Sequence, residues 1–356
     1  MNNDKDFKEC GQLVSSFRIV ACTYEGLLYG IDTMLFLKED MNVNTCFNLV
    51  WMFESNSGCI HSVAVGGRLY DLKKKKDLGS LYHQSGTITD LAFSSKVSPK
   101  FLVSVSQDGT MVIFRTRDWL PFATIKTYHG SVNSISIHPS GKAALTVGSD
   151  KNIRLWNMMT GEKAGKYSLN NGDPFCIQWN ILGDRYAVLF NKEVAVYDMS
   201  ATLVYCFSSP TQLNSIHYTM SGKSHREMLV LGSQDGCIQI CDSSNGKLLK
   251  SFFAHENRVK AITSYTFQTV DASFSLILIT ASSNGSIKLW LEFQEFSFLE
   301  IGEYNCGESR ITCMSIVDSF IEVEGFGGLV GHGASLTRWK SGVRVSLESF
   351  LMSREK

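Results

Sequence analysis

Short runs of alternating apolar and polar residues, divided by small polar turns, fill most of this chain. Val132-Asn-Ser-Ile-Ser-Ile137, Thr110-Met-Val-Ile-Phe114 and Ser286-Ile-Lys-Leu-Trp290 show the pattern. A period of two over five or six residues predicts strands, because successive side chains point to opposite faces of a sheet. One phrase recurs: strand residues, a small polar turn ending in Asp or Asn and usually Gly, then an alternating strand closing on a bulky residue. Its copies are Ser104-Val-Ser-Gln-Asp108-Gly-Thr-Met-Val-Ile-Phe114, Thr146-Val-Gly-Ser-Asp150-Lys-Asn-Ile-Arg-Leu-Trp156, Leu231-Gly-Ser-Gln-Asp235-Gly-Cys-Ile-Gln-Ile-Cys241 and Thr280-Ala-Ser-Ser-Asn284-Gly-Ser-Ile-Lys-Leu-Trp290. With a weaker copy, Glu193-Val-Ala-Val-Tyr197, the closing residues fall 42, 41, 44 and 49 positions apart.

Roughly 40 to 50 residues per unit, with four short strands each, is the signature of WD-type propeller blades. The expected fold is therefore all-β, a seven-bladed WD-repeat β-propeller. Within its 356 residues the expected divisions are a disordered N-terminal extension (1–16), the propeller (17–340) and a C-terminal tail (341–356). A unit reads as outer strand Trp119 to Lys126, loop His129-Gly130, inner strand Val132 to Ile137, second strand Ala143 to Val147, turn Ser149 to Asn152 and third strand Ile153 to Trp156.

Closing the ring is less direct. Third strands end near Tyr29, Tyr70, Phe114, Trp156, Tyr197, Cys241, Trp290 and Trp339, one more than the seven sets of outer and inner strands between Phe47 and Ile316. The last blade, begun by Phe296 to Gly302 and Arg310 to Ile316, is completed either by Ile19 to Gly30 or by Phe326 to Trp339. The N-terminal segment is the preferred solution because joining first and last blades removes open sheet edges, and it leaves the C-terminal segment as a cap. One blade is short of a strand: only Gly66 and Gly67 separate inner strand Ile60 to Val65 from third strand Arg68 to Asp71. Either the blade lacks that strand or the sequence lacks a segment.

His129, Thr146, Asp150 and Trp156 stand at the positions of a hydrogen-bonded blade network, and the set recurs as His83, Ser104, Asp108, Phe114 and as His255, Thr280, Asn284, Trp290. A catalytic triad does not come in a fresh copy per blade. The expected role is structural, the Asp orienting the His while the indole or hydroxyl satisfies buried groups that would otherwise cost about 1–3 kcal/mol each.

Charge narrows the partners. Thirty-four basic and thirty-four acidic residues balance to zero, which argues against a general nucleic-acid coat. The local run Lys73-Lys74-Lys75-Lys76 is the exception, reading either as a solvated loop or as a contact to phosphate, including rRNA, or to an acidic protein. Met-Asn-Asn-Asp-Lys-Asp at the start is not of signal-peptide type, and no apolar run reaches the roughly 18 residues of a spanning helix. A soluble intracellular protein is expected. Ten cysteines contain no C-x-x-C pair, so reduced structural thiols are expected, with no metal, no cofactor and no small-molecule substrate. Ser221-Gly-Lys-Ser224 resembles the end of a phosphate-binding loop, yet His217 stands where the earlier glycine belongs, and Gly327 to Gly333 lies outside any βαβ unit. No enzymatic motif is assembled.

The wording of the blades is more specific than the period. Leu81-Tyr-His-Gln-Ser-Gly-Thr-Ile-Thr89, Ile137-His-Pro-Ser-Gly-Lys142, Gly148-Ser-Asp-Lys-Asn-Ile-Arg-Leu-Trp156, Ala254-His-Glu-Asn-Arg-Val-Lys260 and Ala281 to Trp290, with Val20-Ala-Cys-Thr-Tyr-Glu25 and Asp71-Leu-Lys-Lys-Lys75, resemble the p21-activated-kinase-interacting WD-repeat proteins. These are animal relatives of a yeast large-subunit ribosome assembly factor, and the resemblance covers residues 17 to 316. It implies a non-enzymatic scaffold in the nucleolus and nucleus that binds pre-ribosomal large-subunit proteins, with a second role as a negative regulator of a p21-activated kinase. Two departures stand out: the thin first blade, and an end at Ser353-Arg-Glu-Lys356 without the family's Lys-rich tail.

Overall fold

In the computed structural model the alternating runs become antiparallel strands. It describes residues 12–37, 43–54, 67–71, 76–81, 83–94, 99–127, 130–169, 172–268, 274–307, 309–318 and 352–353. The N-terminal strands are β1 (Gln12–Thr23), β2 (Leu27–Leu37) and β3 (Val43–Glu54), followed by β4 (Gly67–Asp71) and β5 (Lys76–Leu81). Next come β6 (Ile88–Phe93), β7 (Phe101–Ser106), β8 (Thr110–Arg115) and β9 (Pro121–Lys126), then β10 (Val132–Ile137), β11 (Ala143–Gly148), β12 (Asn152–Asn157) and β13 (Glu162–Ser168). They continue with β14 (Cys176–Trp179), β15 (Arg185–Leu189), β16 (Glu193–Asp198) and β17 (Leu203–Ser208), and β18 (Leu213–Met220), β19 (Glu227–Ser233), β20 (Cys237–Asp242) and β21 (Leu248–Phe253). The last are β22 (Val259–Gln268), β23 (Phe274–Ser282), β24 (Ser286–Gln294), β25 (Ser297–Asn305), β26 (Ile311–Asp318) and β27 (Met352–Ser353).

Five sheets take four consecutive strands each, β6 to β9, β10 to β13, β14 to β17, β18 to β21 and β22 to β25. A sixth, ordered β26-β1-β2-β3, joins the two ends of the chain. Ile19 faces Ile316 and Cys22 faces Cys313 across that seam. The N-terminal segment therefore completes the last blade, and β1 begins at Gln12, ahead of residue 17. The alternative closing segment, Phe326 to Trp339, lies outside the described residues.

Two sequence readings need correction. The run Trp119 to Lys126 contains β9, which pairs with β8 of the preceding sheet (Met111 opposite Ile125) and not with its own unit. The run Phe296 to Gly302 likewise enters β25, the outer strand of the β22 to β25 sheet, at Ser297, so it does not begin the last blade. The physical reason is that the loop after each outer strand crosses to the next blade. The sequence period thus straddles two sheets.

The short blade forms a three-stranded sheet ordered β27-β4-β5. Met352 pairs with Arg68 and Ser353 with Gly67, so part of the segment read as a tail occupies the second-strand position. The inner run Ile60 to Val65 lies outside the described residues.

Period-two alternation lets each strand serve two interfaces. Val103 and Val105 of β7 pack with Ile135, Ala144 and Trp156 of the following blade, whereas Leu102 turns the other way to join Phe114, Phe93 and Leu81. The closing blade packs Phe17, Ile19, Ala21 and Ile31 against Ile277, Ile279 and Leu289. Burying each such aliphatic or aromatic side chain contributes about 1.5–3 kcal/mol. Polar ties cross between inner strands as well: Thr89 Oγ1 donates to the Val132 carbonyl at 2.6 Å, and the Asp90 carboxylate accepts from Ser134 Oγ at 2.7 Å and the Ile135 amide at 2.9 Å. No helix of the described residues is long and apolar enough to cross a membrane.

Candidate functional site

The β22 to β25 blade shows what the recurring polar residues do. Trp290 Nε1 donates to Thr280 Oγ1 at 2.9 Å, and His255 bridges Thr280 Oγ1 through Nε2 and Ser286 Oγ through Nδ1, both at 2.8 Å. Asn284 accepts from the Ser286 amide at 3.1 Å, so Ser286 links the turn to the histidine. In the β10 to β13 blade Trp156 Nε1 donates to Thr146 Oγ1 at 2.9 Å. Asp150 there holds both ends of the Arg154 guanidinium, at 2.7 and 3.3 Å, while His129 lies outside the described residues.

The β6 to β9 blade corrects the placement of His83. Its ring is exposed and meets Phe114 edge-on at 5.4 Å. Gln84 carries the link instead: Ser104 Oγ donates to its Oε1 at 2.5 Å, and its Nε2 donates to the Thr110 carbonyl and Oγ1, each at 3.1 Å. Spacing explains the miss. Gln84 stands four residues before Ile88, which opens β6, as His255 stands four before Val259, which opens β22. His83 stands five before Ile88, so residue type misled there, where distance from the inner strand was the better signal.

Asp108 does not orient His83 either. Its carboxylate ties the turn to the incoming loop, accepting from the Ser85 amide at 2.9 Å, the Gly86 amide at 3.0 Å and Thr110 Oγ1 at 2.5 Å. Burial pushes its pKa up, but the hydrogen bonds from Thr110, Ser85 and Gly86 prevail and hold it at about 2. Where the closing residue is Cys241, the matching position is Leu231, and both are fully buried. The polar pair has been replaced by an apolar pair as a unit.

His255 makes one blade sensitive to acid. Burial first, then the charge of Lys288, lowers its pKa to about 4, against a hydrogen bond from the ring to the Thr280 backbone that raises it. The unfolded chain binds a proton near the ordinary histidine value of 6.5, so stability is full above pH 6.5 and is lost as pH falls toward 4. The expected loss is about 3 kcal/mol over that window. His255→Gln, which copies Gln84, is expected to retain bridging hydrogen bonds and flatten the slope. Denaturant midpoints at pH 7, 5.5 and 4.5 for both proteins check this.

The phosphate-loop lookalike is a capped turn. Ser221 Oγ donates to Glu292 Oε1 at 2.7 Å and the Gly222 amide donates to Glu292 Oε2 at 2.8 Å, so a carboxylate already holds the groups an anion would use. Among the described residues no three His, Cys, Asp or Glu side chains are grouped to hold a metal ion.

One end of the propeller gathers exposed apolar side chains. The turns joining third to outer strands and inner to second strands meet there, as the Arg185 guanidinium shows by donating to the Ser243 and Ser244 carbonyls of the next blade at 3.4 and 3.1 Å. Leu120, Met159, Leu182 and Met199 stand exposed in these turns, Leu182 at 70%, and Phe293 stands exposed near the end of β24. A cavity of about 550 Å³ opens between two of the blades, lined by Asn180, Leu182, Asp184, Arg185, Arg226 and Glu227 among others. Exposed Met and aromatic side chains beside Arg groups are the makings of a protein-binding surface. Lys76 opens β5, and Lys73, Lys74 and Lys75 lie outside the described residues.

Residues 121–157 and 246–290 match the model of the WD domain, G-beta repeat. A chicken (Gallus gallus) protein named p21-activated protein kinase-interacting protein 1-like is 31% identical over 315 residues, covering 84% of this chain and 79% of that protein. The chain belongs to the p21-activated protein kinase-interacting protein 1-like family. A zebrafish (Danio rerio) member is 35% identical over 253 residues, and the alignment covers 70% of this chain but only 64% of that relative's length. Protein MAK11 of Saccharomyces cerevisiae is 28% identical, with 86% of this chain and 84% of the yeast protein covered. The fold also matches the crystal structure of the Myceliophteria thermophila Cps50 (Swd1) β-propeller domain, with a TM-score of 0.50, 15% identity, and 62% of this chain and 73% of that one covered. The family and the WD-repeat propeller fold thus agree with the repeat pattern.

Proposed function

We propose that this chain is a non-enzymatic scaffold of large ribosomal subunit assembly, working in the nucleolus and nucleus by holding pre-ribosomal proteins on its apolar, Arg-bearing end. The observation that carries this reading is the relation to the yeast protein MAK11 along 86% of the chain, together with the family resemblance of the blades, which implies a role in large-subunit assembly. Lys73 to Lys76 supply a contact to rRNA phosphate or an acidic partner. Replacing the four lysines with Ser is expected to leave folding intact, since exposed changes usually cost under about 0.5 kcal/mol. The same variant is expected to sediment less with large-subunit precursors, and wild-type association to fall as salt is added. Sucrose-gradient sedimentation of tagged wild type and variant measures both, and unchanged co-sedimentation of the variant would return the lysines to a solvated loop.

A second reading is favoured by the names of the animal relatives, which are kinase-interacting proteins. In that reading the chain is a signalling adaptor that binds and negatively regulates a p21-activated kinase. Direct binding of the full chain to a kinase regulatory region, in the absence of ribosomal precursors, supports it.

A further inference from the structure

The seam that closes the ring holds two cysteines. Cys22 of β1 and Cys313 of β26 are direct partners in the antiparallel ladder between the N-terminal and C-terminal strands. Residues so opposed lie about 4.5–5.5 Å apart at Cα and project from the same face. A disulfide requires roughly 4.4–6.8 Å between Cα atoms. Cys22 is fully buried, Cys313 is partly exposed, and both are reduced.

Facing each other across the ladder, the two thiols shift one another's titration, and the Thr312 hydroxyl lies 4.0 Å from the Cys313 sulfur. The interaction with Cys22 and the Thr312 hydroxyl lower the Cys313 pKa against its burial, while the interaction with Cys313 and burial raise that of Cys22. Cys313 is thus the more readily deprotonated of the two thiols. By contrast, burial pushes the Cys241 and Cys306 thiols up to about 12, and burial together with the charge of Asp90 does the same to Cys176. Two further contacts fasten the seam: Arg310 Nε donates to Glu25 Oε1 at 3.0 Å, and the Tyr29 hydroxyl donates to the Cys306 carbonyl at 3.1 Å.

We propose that Cys22 and Cys313 are a site of reversible disulfide formation that locks the propeller ring covalently. With a peroxide as oxidant, the Cys313 thiolate attacks one peroxide oxygen, the O–O bond breaks, and sulfenic acid and hydroxide form. The Cys22 thiol then gives up its proton, its sulfur attacks the Cys313 sulfur, the S–O bond breaks and water leaves. Each sulfur is oxidised by one electron and the peroxide is reduced by two. A dithiol reverses the step by exchange. The link would tie together strands roughly 290 residues apart in sequence, a long loop whose closure restricts the unfolded chain strongly.

The test uses the full chain treated with hydrogen peroxide, digested without reductant and mapped by mass spectrometry. The expected product is a Cys22–Cys313 linked peptide, lighter by two hydrogens than its parts, and the oxidised protein is expected to melt several degrees higher until dithiothreitol is added. Cys22→Ala and Cys313→Ala are expected to abolish both effects, and the wild-type peptide map stands alone if either variant folds poorly. Oxidation of exposed Cys206 in a sample where the linked peptide is absent would overturn the proposal, as would a linked peptide with no rise in melting temperature.

Discussion

Deleting residues 1–32 is expected to yield an aggregating protein, whereas the full chain stays in solution under the same expression. The deletion removes β1 and about half of β2, leaving β26 without its only described ladder partner. It also uncovers Ile277, Ile279 and Leu289, which now pack against Phe17, Ile19 and Ile31. An unpaired strand edge beside newly exposed apolar surface is a template for association. Deleting residues 325–356 is the control. It removes β27 but leaves the six four-stranded sheets whole, so the expected change is faster hydrogen exchange confined to residues 67–81. Soluble yield and exchange of the two truncations check both outcomes.

Trp290→Ala is expected to destabilise the propeller by about 3–5 kcal/mol, in the range for a buried aromatic reduced to methyl. The indole is 6% exposed, packs against Phe252 at 4.9 Å between ring centres, and donates to Thr280. Truncation leaves a cavity and takes a hydrogen bond from the buried Thr280–His255–Ser286 chain, so the melting temperature is expected to fall by ten degrees or so. Trp290→Phe keeps most of the packing and loses the N–H, with an expected loss of about 1–2 kcal/mol. Thermal and urea denaturation of the three proteins measure the difference.

The repeat was legible in sequence because period-two alternation and the Asp turn are local features. Phe114, Trp156, Cys241 and Trp290 each fall in the third strand of a blade, as their positions in the phrase require. Which sheet an outer strand joins was not legible, since β9 and β25 carry the same alternation whichever blade they pair with. Distance from the inner strand decided between Gln84 and His83, and a reading led by residue type chose the histidine. The placement of Met352–Ser353 against β4 had no sequence signal, because two residues carry no period. The proposed binding end was equally silent: Leu120, Met159, Leu182, Met199 and Phe293 lie far apart in the chain and are united only by the ring.

Affinity purification of the tagged full chain, with quantitative mass spectrometry of the eluate, tests the proposed role most directly. The account predicts that proteins of large-subunit precursors dominate, accompanied by precursor rRNA, and that added salt weakens their recovery. An eluate dominated by a p21-activated kinase, with large-subunit precursors no more abundant than in an untagged control, would contradict it.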